Sequence, residues 1–134
     1  VIEFVLEGRS RVATYMQIVL QVKQALRVGL AQPGDQLPRV RQVAQSLAIN
    51  PNTVLKAYRE LELEGLAEGR PGVGTFLVRT LAGPSLDRQA GLREGLVAWL
   101  HEAQVAGLDR EDITALIDTT LRATLDAPPP KDIS

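Results

Sequence analysis

Asn52, Thr53, Lys56 and Arg59 crowd the first turns of one amphipathic stretch, with Asn50 just ahead of them. Their side chains are better suited to reading a polymer than to breaking a bond. An Asn amide pairs bidentately with an adenine edge, a Lys ammonium reaches guanine O6/N7 or a phosphate, and a Thr methyl meets the thymine methyl. A catalytic reading finds little to work with. The chain has no cysteine and one histidine, His101, at a polar helical position where solvent suits it. Without a His/Cys/carboxylate cluster, neither a metal site of the usual kind nor a cofactor is expected, and an enzyme is not expected either.

Positioning these groups takes a helix. Asn50-Pro51 supplies a preferred N-cap followed by a residue favoured at the first helical position, so a helix is predicted from about Pro51 to Glu64. At about 100° per residue, Val54, Ala57, Tyr58 and Leu61 fall on a core side. Asn52, Lys56 and Arg59 fall opposite, with Thr53 at the flank. A shorter helix, about Val40 to Leu47, precedes it and packs through Val43, Ala44 and Leu47. Two helices separated by so short a turn have helix-turn-helix spacing. Arg39 and Arg41 open the first of the two, where that motif meets the phosphate backbone. Further upstream, Tyr15, Ile18, Val22 and Leu26 recur at helical spacing until Gly29, and "LAQPGDQLP" is a turn-rich connection.

Gly65 is placed to end the recognition helix in a left-handed conformation. "LAEGRPGVGTFLV" then reads as a β-hairpin, with strands at Leu66-Ala67 and Thr75 to Val78 and "EGRPGVG" between them. Arg70 would stand at its tip, where a cation could enter the minor groove. The "GVG" is no phosphate cradle, because a strand and not a helix follows it. A helix-turn-helix followed by such a hairpin is a winged helix. The fold class expected is therefore mainly α with a small β-hairpin.

"TLAGPS" is a candidate linker that divides residues 1–80, a winged helix-turn-helix domain, from residues 81–134, a short helical domain. In the second part Leu92, Leu96, Trp99 and Ala103 align, and Gly107 closes their helix. Asp109 then caps a last helix with Glu111 and Asp112 in its first turn, and Leu108 and Ile113 occupy hydrophobic-staple positions. Ile113, Leu116, Ile117, Leu121 and Leu125 supply the apolar face of that helix. Two helices bury little on their own, so Leu92, Leu96, Trp99, Leu116 and Leu121 are expected to pair with a second copy. A simple intrachain role for Trp99 is the alternative. "APPPKDIS" reads as a disordered tail. The well-formed final helix and polar tail lead to the expectation of a whole regulator and not a fragment.

Composition agrees with this division. The chain has 134 residues, 45% apolar and 23% charged, with a net charge of −1. Residues 1–80 carry ten Lys/Arg against seven Asp/Glu, a net of +3; residues 81–134 carry five against nine, a net of −4. Such asymmetry suits different partners for the two parts. No apolar run approaches the roughly 18 residues of a membrane span. "VIEFVLEGRSR" lacks the features of a signal peptide, so a cytoplasmic protein is expected, although a chain starting at Val1 leaves the true N-terminus open.

From Tyr15 to Val78 the sequence resembles the DNA-binding domain of GntR-family bacterial transcription regulators. The resemblance rests on "YMQI", "AQPGDQLP", Arg41, "TVLKAYREL" and "GVGTF". "NPNTV" together with the short helical part around "GLDREDI" is similar to the YtrA-like subfamily. The resemblance implies a dimeric repressor on double-stranded DNA, often controlling nearby transport genes, and leaves room for an unidentified small-molecule effector. It marks Arg41, Asn52, Thr53, Lys56 and the wing near Arg70–Gly72 as DNA contacts. The chain departs from the family at three places. Arg39 replaces a small residue, Ala48 replaces a common glycine in the turn, and Leu30-Ala31 reverses the usual order. A winged helix used to hold a protein, with no specific DNA binding, is the competing function.

Overall fold

The Asn50 side chain accepts a hydrogen bond from the Asn52 amide at 2.8 Å, and Pro51 occupies the first turn of the helix that follows. This cap sets the start of the helix in a computed structural model that describes residues 2–83 and 86–126. The chain divides into two compact units, Val1–Leu86 and Asp87–Ser134. The expected disordered tail lies outside the described residues, as do two residues of the candidate linker.

The first unit contains α1 (Thr14–Arg27), α2 (Val40–Leu47), α3 (Pro51–Leu63), β1 (Ala67–Arg70) and β2 (Gly74–Leu77). Its core joins Ile18, Val22 and Leu26 of α1 to Val43 and Ala44 of α2. Val54, Ala57 and Leu61 of α3 complete it, together with Leu66 and Leu77. The reversed pair resolves simply: Ala31 is buried and Leu30 faces solvent, so a smaller side chain fills the inward position. Gly65 has φ +75°, the left-handed conformation expected of it.

The hairpin is longer than the sequence suggests. Its strands pair from Ala67↔Leu77 to Arg70↔Gly74, and only Pro71, Gly72 and Val73 are left for the turn. The Gly/Pro-rich composition disguised the strand character of Glu68 and Gly69. The far edge of β2 is also paired. Leu37 N–H donates to Thr75 O at 2.8 Å and Leu77 N–H to Asp35 O at 2.8 Å, so the end of the "turn-rich connection" bridges to β2 at Gln36↔Phe76.

Residues 2–7 form a further element that sequence reading left without a fold assignment. Ile2, Phe4 and Leu6 pack on the core in alternation with exposed Glu3, Val5 and Glu7. Two glutamines of α1 serve the backbone as a strand would. Gln21 accepts from Val5 N–H at 2.9 Å and donates to Val5 O at 2.6 Å, while Gln17 accepts from Glu7 N–H at 2.8 Å.

The second unit is a hairpin of α4 (Leu86–Val105) and α5 (Arg110–Leu125). Asp109 accepts from Asp112 N–H at 2.9 Å and Asp112 accepts from Asp109 N–H at 3.1 Å, a reciprocal capping box. The bond from Asp112 N–H is the main contact that holds the Asp109 carboxyl below its ordinary pKa. Ala103 is the only buried apolar residue among the described residues of this unit.

Ala48, which ends α2, has φ 54° and ψ 48°, and it is the one described non-glycine residue with positive φ. An L side chain there strains the backbone by about 1–2 kcal/mol, partly offset by the looser unfolded chain of a glycine variant. Ala48→Gly is therefore expected to stabilise the first unit by roughly 0.5–1 kcal/mol. Urea unfolding followed by circular dichroism measures this, and a destabilised variant would contradict the strain.

Candidate nucleic-acid interface

Packing of α3 decides what the helix can offer. Val54, Ala57, Tyr58 and Leu61 are each 3% exposed or less. The Tyr58 hydroxyl donates to the Pro38 carbonyl just before α2, and burial pushes its pKa up. The opposite face is left outward, and Asn52, Leu55, Lys56 and Arg59 line a shallow groove along it. Asn52, Lys56 and Arg59 thus come together as their spacing predicts. Thr53 is half-buried at the flank. Asn50 is exposed, but its side-chain oxygen is engaged in the cap.

Two details of this face escape sequence reading. The Lys56 ammonium stands 4.1 Å from the centroid of the Tyr15 ring, which draws its charge towards α1. Leu55 shares the outer face with Asn52 and Arg59. Helical spacing could have found it, since it lies three residues after Asn52 and four before Arg59.

The wing is braced against α2. Arg39 precedes the first residue of α2 and its guanidinium donates to Val73 O at 3.2 Å, while Gln36 Nε2 donates to the same carbonyl at 3.1 Å. Gly74 lies so close to the Gln36 amide that a side chain there would collide with it. In the turn, Val73 N–H donates to Arg70 O at 3.0 Å and Gly72 has φ +74°. Proline followed by such a glycine suits a type II turn. Arg70 is the last residue of β1 and not the tip; its guanidinium lies 4.4 Å from the Phe76 ring centroid and 3.8 Å from the Glu68 carboxylate. Pro71, Gly72 and Val73 form the tip.

Between wing, α2 and α3 runs a groove of about 730 Å³. Pro38, Val40, Leu55 and Val73 give it apolar walls, and Arg39, Arg59 and Arg70 bring three cations to it. Arg41 is exposed in the first turn of α2. Apolar walls with guanidinium groups match the sugar and phosphate of a nucleic-acid strand. Leu55, Gln36 and Val73 are the members of this site that residue types alone did not suggest.

Since Val73 O has two side-chain donors, removing one loosens the wing without unfolding it. Gln36→Ala is expected to speed amide hydrogen exchange in the 70–74 turn about fivefold, equivalent to about 1 kcal/mol of lost hydrogen bonding. Exchange in α3 stays unchanged. Mass spectrometry of deuterium uptake reads both regions, and an unaltered turn would show that Arg39 alone holds it.

Comparison with known proteins bears on the same surfaces. The family described as "Bacterial regulatory proteins, gntR family" matches residues 14–77. The HTH-type transcriptional repressor YtrA of Bacillus subtilis (strain 168) is 36% identical over 109 residues, covering 81% of this chain and 84% of that protein. A structure described as a transcriptional antiterminator from Listeria monocytogenes EGD-e has a TM-score of 0.56 and 30% identity, covering 89% of this chain and 90% of that one. YtrA from Sulfolobus acidocaldarius, a GntR-family transcription factor, has a TM-score of 0.53 and 25% identity, covering 71% of this chain and 97% of that one. With its winged helix, outward α3 face and this likeness over most of its length, the chain belongs to the GntR family, among its YtrA-like members, and is a DNA-binding transcription regulator.

Proposed function

We propose that the protein is a homodimeric, cytoplasmic repressor that binds a palindromic operator. Residues 1–80 hold the DNA and residues 81–134 hold the second copy. The observation that carries the DNA half is the outward face of α3 beside a braced wing. In this arrangement α3 enters the major groove with Asn52, Thr53 and Lys56 towards base edges. Arg39 and Arg41 meet phosphate, Arg59 and Arg70 flank the strand, and Gly72 lets the wing tip approach the backbone. The relative named as a repressor supports that sign of regulation.

The dimer half rests on exposed apolar surface. Leu96, Trp99, Leu116, Ile117 and Leu121 line an almost wholly apolar groove of about 480 Å³ between α4 and α5. Leu96, Leu116 and Leu121 remain 50%, 43% and 46% exposed, and Leu92, outside the groove, 74%. A second copy laying the same face on this groove removes that surface from water, at about 25 cal/mol per Å².

Selection of bound duplexes from a random pool tests the whole reading, and a site with two inverted half-sites is expected. On that operator, Asn52→Ala or Lys56→Ala should each weaken binding by about 1–3 kcal/mol with melting unchanged. Fluorescence anisotropy reads the affinity, and no change in either variant removes both residues from the reading face.

Assembly is tested in the full-length chain. Leu96→Glu combined with Leu121→Glu places charges in the apolar groove and is expected to give a folded monomer with weaker operator binding. Light scattering at micromolar concentration decides between outcomes. A wild-type monomer, or an unaltered dimer in the double variant, would falsify the proposed interface.

A further inference from the structure

Leu55 stands on the outer face of α3 between Asn52 and Arg59, and it is 36% exposed. It lines both the shallow groove along α3 and the groove under the wing. The core does not claim it, because Val54, Ala57, Tyr58 and Leu61 already fill the inward side. Lys56, its neighbour in sequence, lines the shallow groove with it and holds its ammonium over the Tyr15 ring. Around it the outward face carries the polar side chains of Asn52, Lys56, Arg59 and Glu60, with Leu63 two turns further on.

A lone leucine on a protein surface needs no explanation. This one occupies the second turn of the helix that meets base edges, where side chains contact DNA. Among base edges in the major groove, the thymine C5-methyl is the one apolar group. We propose that Leu55 is a specificity-determining residue that packs on a thymine C5-methyl, next to the base edge met by Asn52. A leucine offers neither donor nor acceptor, so a G·C pair at that position would leave the guanine O6 or the cytosine amino group without a partner. Each half-site then carries one thymine whose methyl group is read.

The inference rests on DNA binding by α3, and one experiment separates the two. Each thymine of the selected operator is replaced singly by deoxyuridine, which removes the methyl and keeps every hydrogen-bonding group. Wild-type protein is expected to bind about fourfold more weakly at one position per half-site, the effect of losing one methyl-sized contact. Leu55→Ala should bind the thymine duplex about as weakly and be indifferent to deoxyuridine at that position. Leu55→Met, which keeps an apolar tip, should retain the dependence.

The scan on the wild-type protein needs no variant, so a poorly folded Leu55→Ala cannot hide the answer. Wild-type binding that ignores every deoxyuridine overturns the assignment of Leu55 while leaving DNA binding intact. A penalty that persists undiminished in Leu55→Ala transfers the methyl contact to another residue and also overturns it. Failure of the wild type to bind any duplex overturns the reading role of α3 itself.

Discussion

The inward face of α3 is the constraint on which the candidate interface depends. Val54, Ala57 and Leu61 have no solvent exposure, and Tyr58 adds a hydrogen bond to the carbonyl of Pro38. A helix of 13 residues is marginal on its own, so its orientation comes from this packing and not from intrinsic propensity. Once the inward face is docked on α1 and α2, the helical period leaves Asn52, Leu55, Lys56 and Arg59 outward. The outward surface is thus the complement of the core surface.

The wing inherits its position from the same docking. β2 is hydrogen-bonded on both edges, to β1 and to residues 35–37, which ties the hairpin to the segment entering α2. Gln36 and Arg39 then converge on one carbonyl at the wing turn. Arg39 has five N–H donors, so its bond to Val73 leaves others free for phosphate. Bracing and phosphate contact are compatible roles for one guanidinium group. This gives a physical account of a large cation where the family commonly has a small side chain.

Much of the fold was legible because its punctuation is local. Asn50-Pro51 and Asp109 mark helix starts through side-chain acceptors, and Gly65 marks a helix end through backbone freedom. Inward and outward faces follow from helical period alone. What stayed hidden depends on groups distant in sequence. Gln17, Gln21 and Gln36 read as ordinary surface amides, yet they bond backbone 10 to 37 residues away. The pairing of Lys56 with Tyr15 likewise crosses between helices. Glu68 and Gly69 belong to a strand because β2 supplies partners, which composition cannot reveal. Leu100, adjacent to Trp99 in sequence, parts from it in space: Leu96 and Trp99 line one groove, while Leu100 lines another with Val97 and His101.

The two units differ in how they meet the entropy of folding. The first buries a continuous core drawn from three helices and a hairpin, whereas two helices alone offer little interior. In the proposed dimer the missing burial comes from the second copy, so self-association adds to the stability of the second unit. Joining two copies also makes engagement of the second half-site effectively intramolecular, which raises operator affinity without a new base contact. A free energy that changes packing in the Leu96–Trp99 groove is then felt at the operator, and operator binding is felt in the groove by the same amount. The apolar groove and the reading face would be linked by mass action alone, with no conformational relay between them.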